Sequence, residues 1–202
     1  MTDSEFTILS FIEDGLNYSY IIEKLIEERR LRDYFELSFS SIYFLMGHLE
    51  EKKYIETYQS FGKKGVGKKG IKITELGKDA LRKSIDERFS GKPLLSHPID
   101  YILFNCHHTN SAELKAGINK YIREAERIYL FYQQREDELK DDKSASLGEK
   151  LVLSHFISKI KNEIEWAKEV RNNLQSIKNL DEILDEEKNK VSEHYRKLII
   201  EE

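Results

Sequence analysis

Cysteine occurs once in these 202 residues, at Cys106, so an internal disulfide framework is excluded. Proline occurs twice and glycine ten times. So few helix breakers, in a chain that is 35% charged, suit long and partly exposed helices. No apolar run approaches the roughly 18 residues that span a bilayer. The opening Met1-Thr2-Asp3-Ser4-Glu5 lacks the basic n-region of a signal peptide. A soluble, cytoplasmic protein without membrane contact is therefore expected. Net charge is −4, which argues against binding a polyanion over the whole surface. The chemistry of catalysis is missing too. No phosphate-binding glycine motif, carboxylate pair or nucleophile–base constellation stands out. Cys106-His107-His108 has no second Cys/His cluster to complete a metal site, since His97, His155 and His194 are scattered. No enzyme activity, metal or cofactor is expected.

The charge that is present is unevenly placed. Gly62-Lys63-Lys64-Gly65-Val66-Gly67-Lys68-Lys69-Gly70-Ile71 holds four glycines and four lysines. Between Gln59 and Lys83, eight cations face two anions, a net of +6 that leaves −10 for the rest of the chain. A focused basic patch on an acidic body steers one face toward a polyanion. Glycine permits a tight turn there. A strand at Tyr54–Tyr58 enters the turn and one at Ile71–Ile73 leaves it, so the lysines sit at a hairpin tip.

Ahead of the hairpin, Phe6, Ile8, Leu9, Phe11 and Ile12 predict a short buried helix capped by Ser4. Ile21, Ile22, Leu25 and Ile26 predict a second helix over 18–30. Ser38, Ser40 and Ser41 open a third, carrying Ile42, Leu45, Met46 and Leu49. Thr74 caps a fourth through Ile85. Helix–helix–helix–hairpin–helix is the layout of a winged helix-turn-helix, expected over 1–90. Both prolines, Pro93 and Pro98, fall in a linker at 91–98. A helical domain over 99–202 follows. Leu114, Ile118, Tyr121, Ala125, Ile128 and Tyr132 form one near-heptad seam. Leu153, Ile157, Ile160, Ile164, Ala167, Val170, Leu174 and Ile177 form another. Asp141–Ser146 separates them as a polar turn, and a thinner stripe over 179–200 predicts a last helix. The fold class is mainly α with a small β-hairpin. Seams of this length need a partner helix, and a homodimer supplies one. Two-fold symmetry also suits a palindromic operator.

The N-terminal motifs resemble the PadR family of transcriptional regulators. Gly15-Leu16-Asn17-Tyr18-Ser19-Tyr20-Ile21-Ile22 is similar to that family's Gly…Tyr-x-Ile opening of the second helix. Ser41-Ile42-Tyr43-Phe44-Leu45-Met46-Gly47-His48-Leu49-Glu50 resembles its recognition helix, and Ile73-Thr74-Glu75-Leu76-Gly77 its exit from the wing. Leu151-Val152-Leu153 with Ile164-Glu165-Trp166-Ala167-Lys168-Glu169-Val170 resembles the last helix of the subgroup that includes virulence-gene activators. The resemblance spans about residues 5–178. Phe44 departs from the family's proline, Lys53 from its glycine before the first wing strand, and Gly47-His48 from its usual lysine or arginine.

The resemblance implies a dimeric, sequence-specific regulator of double-stranded DNA, a repressor in preference to an activator. The expected DNA contacts are Ser38, Ser40, Ser41, Tyr43 and His48 on the recognition helix, and Lys63, Lys64, Lys68 and Lys69 on the wing. The expected dimer interface comprises Leu114, Ile118, Tyr121, Ile157, Ile160, Ile164, Trp166, Val170 and Leu174. A pocket near Trp166 at that interface accepts a flat aromatic effector in some members of the family, although plain packing is the expectation here. The alternative is a protein-interaction module whose winged helix no longer reads DNA, motivated by a recognition helix without lysine or arginine.

Overall fold

The computed structural model describes residues 1–33, 42–61, 67–91 and 97–200, with the side chains of 60, 61, 67, 68 and 194–200 outside that description. The chain separates into two compact units, Met1–Leu94 and Leu95–Glu202.

The first unit opens with α1 (Asp3–Glu13). Its cap is Thr2 and not Ser4 as expected. The Glu5 N–H donates to Thr2 Oγ1 (3.2 Å) and the Thr2 N–H donates back to Glu5 Oε2 (3.0 Å). This reciprocal box satisfies two orphan donors at once, which a Ser4 followed three residues later by Thr7 has no carboxylate to match. Helix α2 (Ser19–Glu28), a 3-10 turn (Leu31–Asp33) and α3 (Ile42–Glu51) follow. Ile8, Leu9, Ile12, Ile22, Ile26, Leu45 and Leu49 from these helices are buried, as the 3.6-residue spacing predicts.

Strands β1 (Ile55–Phe61) and β2 (Gly67–Ile73) pair antiparallel, from Ile55 opposite Ile73 to Phe61 opposite Gly67. Both are longer than expected, so Lys68 and Lys69 belong to β2 and not to the hairpin tip. Gly70 also lies within the strand. A Cβ there would run into the ring of Tyr58, its cross-strand partner, so glycine is required by close approach and not by a turn. The Ile71 N–H donates to Asn17 O at 2.9 Å, tying the hairpin to the α1–α2 connection.

Helix α4 (Glu75–Phe89) is capped by Thr74 as expected. Thr74 Oγ1 accepts from Gly77 N (3.0 Å) and donates to Lys53 O (2.7 Å). A Cβ at Gly77 would strike the Tyr54 carbonyl, so this first turn sits directly on the start of β1. Lys53 adopts φ +59, a left-handed conformation that costs a residue with a Cβ about 1–2 kcal/mol.

The second unit contains α5 (Pro98–Phe104), a 3-10 turn (Cys106–His108), and two helices of about nine turns each, α6 (Ser111–Asp141) and α7 (Leu147–Ser176). Asn110 with Glu113 and Ser146 with Glu149 form capping boxes that start them. A five-residue connection makes α6 and α7 an antiparallel hairpin. Leu114, Ile118, Ile122, Ala125, Leu153, Ile164 and Ala167 are buried in this unit. Glu126 and Lys168 pair across α6 and α7 at 2.6 Å. The last helix, α8 (Leu180–Ile200), buries Leu180 and Leu184. Asp181 accepts from both the N–H (2.7 Å) and the hydroxyl (2.6 Å) of Ser111, the first residue of α6.

Candidate nucleic-acid interface

The buried stripe of α3 leaves an outer face made of Tyr43, Phe44, Gly47, His48, Glu50 and Glu51. Tyr43 is 64% exposed and Phe44 55%, a large aromatic surface for one ten-residue helix. Phe44 and His48, one turn apart, have ring centroids at 4.3 Å. Phe44 is thus a solvent-facing ring within an unbroken helix.

A cleft of about 250 Å³ runs between α3 and the hairpin. Tyr43, Met46, Gly47 and Glu50 line it from α3, Ile55, Thr57, Lys69 and Ile71 from the strands, and Ser19 from the start of α2. Gly47 keeps its floor open, because no side chain projects there. The Glu50 carboxylate spans the cleft. Oε1 accepts from Thr57 Oγ1 at 3.0 Å, and Oε2 lies 3.9 Å from Lys69 Nζ.

Beneath this face Glu5 is almost wholly buried and lies 2.6 Å from Lys52 Nζ and 3.9 Å from His48 Nδ1. Burial pushes its carboxyl up. The hydrogen bond from Lys52, that from the Thr2 N–H and the nearby positive charges outweigh burial and hold it below the usual carboxylate range. His48 faces this carboxylate at 3.9 Å, and its side chain is itself 43% exposed.

Of the expected DNA contacts, Tyr43 and His48 share the outer face of α3, and Lys69 stands at the edge of the cleft. Lys68 is paired by its backbone opposite Ser60. Ser38, Ser40, Ser41, Lys63 and Lys64 lie outside the described residues. Sequence reasoning missed Glu50, Thr57 and Ser19 as cleft residues. The signal for Glu50 was its spacing, seven residues after Tyr43 and therefore on the same helical face. Thr57 needed the strand register, and Ser19 needed the tertiary fold.

The expected interface residues divide into two groups. Leu114, Ile118 and Ile164 are buried within the second unit itself. Tyr121, Trp166, Val170 and Leu174 pack, half-buried, against a cluster of Ile99, Ile118, Ile122 and Ala167. Ile157 and Ile160 are half-buried. The seams find much of their partner in each other, because α6 and α7 fold back as a hairpin. Tyr121 donates to Glu163 Oε1 at 2.7 Å. Burial and then that carboxylate push its phenol far up. The apolar surface left exposed in this unit includes Tyr101, Ile102, Phe104, Leu130, Leu147 and Leu151. An apolar groove of about 420 Å³ lies between α5 and α6, with Ile102, Leu114, Gly117 and Tyr121 in its lining. Burial, followed by the charge of Glu187, raises the Cys106 thiol, so it is protonated at neutral pH. Among the described residues no group of three His, Cys, Asp or Glu side chains could hold a metal ion, and no helix is long and apolar enough to cross a membrane.

An exposed helix face beside a two-stranded wing, followed by a long helical hairpin, defines the winged-helix architecture of PadR-like regulators. Residues 102–175 match the family model described as virulence activator alpha C-term. Three solved structures share the fold across nearly their whole length. The Vibrio cholerae virulence activator AphA aligns with a TM-score of 0.68 at 16% identity, covering 86% of this chain and 99% of that one. Bacillus subtilis PadR in complex with operator DNA aligns at 0.65 and 17%, covering 84% and 98%. The same protein in complex with p-coumaric acid aligns at 0.66 and 18%, covering 85% and 98%. The resemblance to the PadR family is thus borne out in the fold. No curated protein sequence matches this chain.

Proposed function

We propose that this protein is a PadR-type, sequence-specific DNA-binding transcriptional regulator, acting as a homodimer on a palindromic operator and repressing in preference to activating. The observation that carries the reading is the outer face of α3. Tyr43 and Phe44 stand exposed on it beside a hairpin whose sequence is dense in lysine, within a fold shared with a protein solved on operator DNA. In this reading α3 enters the major groove, Tyr43 and His48 touch base edges or phosphates, and Ser38, Ser40 and Ser41 hold phosphate at the approach to the helix. Lys63, Lys64, Lys68 and Lys69 supply sequence-independent grip. The second unit dimerises through the half-buried seam residues Tyr121, Ile157, Ile160, Trp166, Val170 and Leu174 together with exposed Leu147 and Leu151. Trp166 does not line the groove of about 420 Å³ between α5 and α6, but that groove, and not a pocket at Trp166, is of the size that takes a small flat aromatic effector, a ligand class supported by the p-coumaric acid complex of the B. subtilis protein.

One observation favours a second reading. The outer face of α3 carries Glu50 and Glu51 and no lysine or arginine, as in a winged helix turned to protein partners. Selection of bound duplexes from a random pool, followed by sizing of the complex, separates the two. A regulator enriches a two-fold symmetric sequence and binds it as two protomers per site. No enriched sequence favours the interaction module, and a monomer on DNA removes the dimer from the proposal.

A further inference from the structure

Resting on the DNA-binding reading, we propose that Glu50 is a positioning and specificity-determining residue of the interface. It braces the wing against the recognition helix and withholds Lys69 from non-cognate duplex.

Three observations converge on this role. Glu50 joins three elements, since it belongs to α3, accepts from Thr57 on β1 at 3.0 Å and faces Lys69 on β2 at 3.9 Å. The angle between a recognition helix and its wing decides whether both reach one duplex, and the hydrogen bond from Thr57 on β1 to the Glu50 carboxylate braces that angle. Second, the Glu50–Lys69 pair is long and exposed, with side chains 45% and 65% accessible. Such a pair is weak and exchanges readily for a phosphate. Third, Glu50 lines the same cleft as Tyr43 and Gly47, so its charge opposes any phosphate that approaches without compensating contacts. Random duplex meets the carboxylate's repulsion with Lys69 still engaged. A cognate duplex makes enough contacts from Tyr43 and its neighbours to draw Lys69 onto its backbone. Glu50 is also free then to accept from a base-edge amino group, the pairing that carboxylates make with cytosine N4.

The test compares wild type, Glu50→Gln and Thr57→Val for binding to the selected operator and to a scrambled duplex over a salt series. Glu50→Gln keeps an oxygen for Thr57 and loses the charge. It should bind scrambled duplex about three- to tenfold more tightly, with a salt slope steeper by about 2 per dimer as the Lys69 of each protomer joins a phosphate, and a narrowed operator preference. Thr57→Val keeps the charge and breaks the brace. It should lose several-fold in operator affinity while leaving scrambled binding unchanged. An unchanged operator-to-scrambled ratio and slope in Glu50→Gln overturns the withholding role, and unchanged operator affinity in Thr57→Val overturns the brace. Failure of the wild type to bind any duplex overturns the DNA reading itself.

Discussion

Glu5 shows how one residue serves two levels of structure. Its backbone and carboxylate close the capping box of α1, and the same carboxylate anchors Lys52 just beyond α3. Because its folded carboxyl titrates below the usual 4.5, folding favours the ionised form. The resulting stabilisation is fully present above the unfolded carboxyl's range and fades as pH falls through the lower folded value. Urea unfolding between pH 6 and 3 should show stability declining below about pH 4.5. Glu5→Gln should flatten that decline and cost about 1–3 kcal/mol at neutral pH, the range for losing hydrogen bonds to a charged group. A wild-type acid limb that Glu5→Gln leaves unaltered places the linkage elsewhere. Thr2-x-x-Glu5 was visible in the sequence as a capping pattern, yet Ser4 also fits the preference for a small hydroxyl at a helix start. Only the paired bonds decide between them.

Among the elements, α8 is held by two buried leucines and one hydrogen-bonded pair to α6. Leu180 and Leu184 seat it, and Asp181 joins it to the first turn of α6, where the exposed amides favour a negative charge. Hydrogen bonds from the Ser111 hydroxyl and N–H hold the Asp181 carboxyl below its usual range. Asp181→Ala should speed amide exchange over residues 180–191 roughly five- to tenfold, less than for a buried charged acceptor because these bonds are exposed to solvent. Residues 111–176 should stay protected. Mass-resolved hydrogen exchange reads both regions in one measurement, and equal acceleration in both would show that α8 is not separately anchored. The existence of α8 was legible from its thin apolar stripe, and its anchorage was not. Asp181 sits in a run with Glu182, Asp185, Glu186 and Glu187 that looks like a solvated face. Its partner lies 70 residues away.

For the whole molecule, the contrast between an acidic body and a basic hairpin is what the proposed DNA binding would draw on. If a dimer neutralises about four to eight phosphates, log K falls with log salt at a slope of roughly −4 to −7. Replacing Lys63, Lys64, Lys68 and Lys69 by alanine should weaken binding to every duplex alike and flatten that slope by about 3 or more. Unchanged affinity and slope would remove the wing from the interface. In the proposed DNA-binding reading, the α3 face, with its tyrosine, histidine and glutamates, would supply choice among sequences and little of this grip.

The sequence by itself determined the order and type of the long helices and the hairpin, but not the short helix α5 or the two 3-10 turns. Helical and alternating periods mark which residues must leave water, and Thr74, Asn110 and Ser146 supply the side-chain acceptors that start α4, α6 and α7. These are local properties that each segment carries alone. Only the tertiary structure decided what the apolar seams face and which polar groups meet. Leu114, Ile118 and Ile164 are buried within the protomer because a short turn brings α7 back along α6. Gly70 is required because the Tyr58 ring crosses it. Glu50 becomes a bridge between helix and wing because the β1–β2 register brings Thr57 and Lys69 to the same side of one cleft. Periodicity specifies a face but not its occupant, since the occupant comes from distant parts of the chain that only folding brings together.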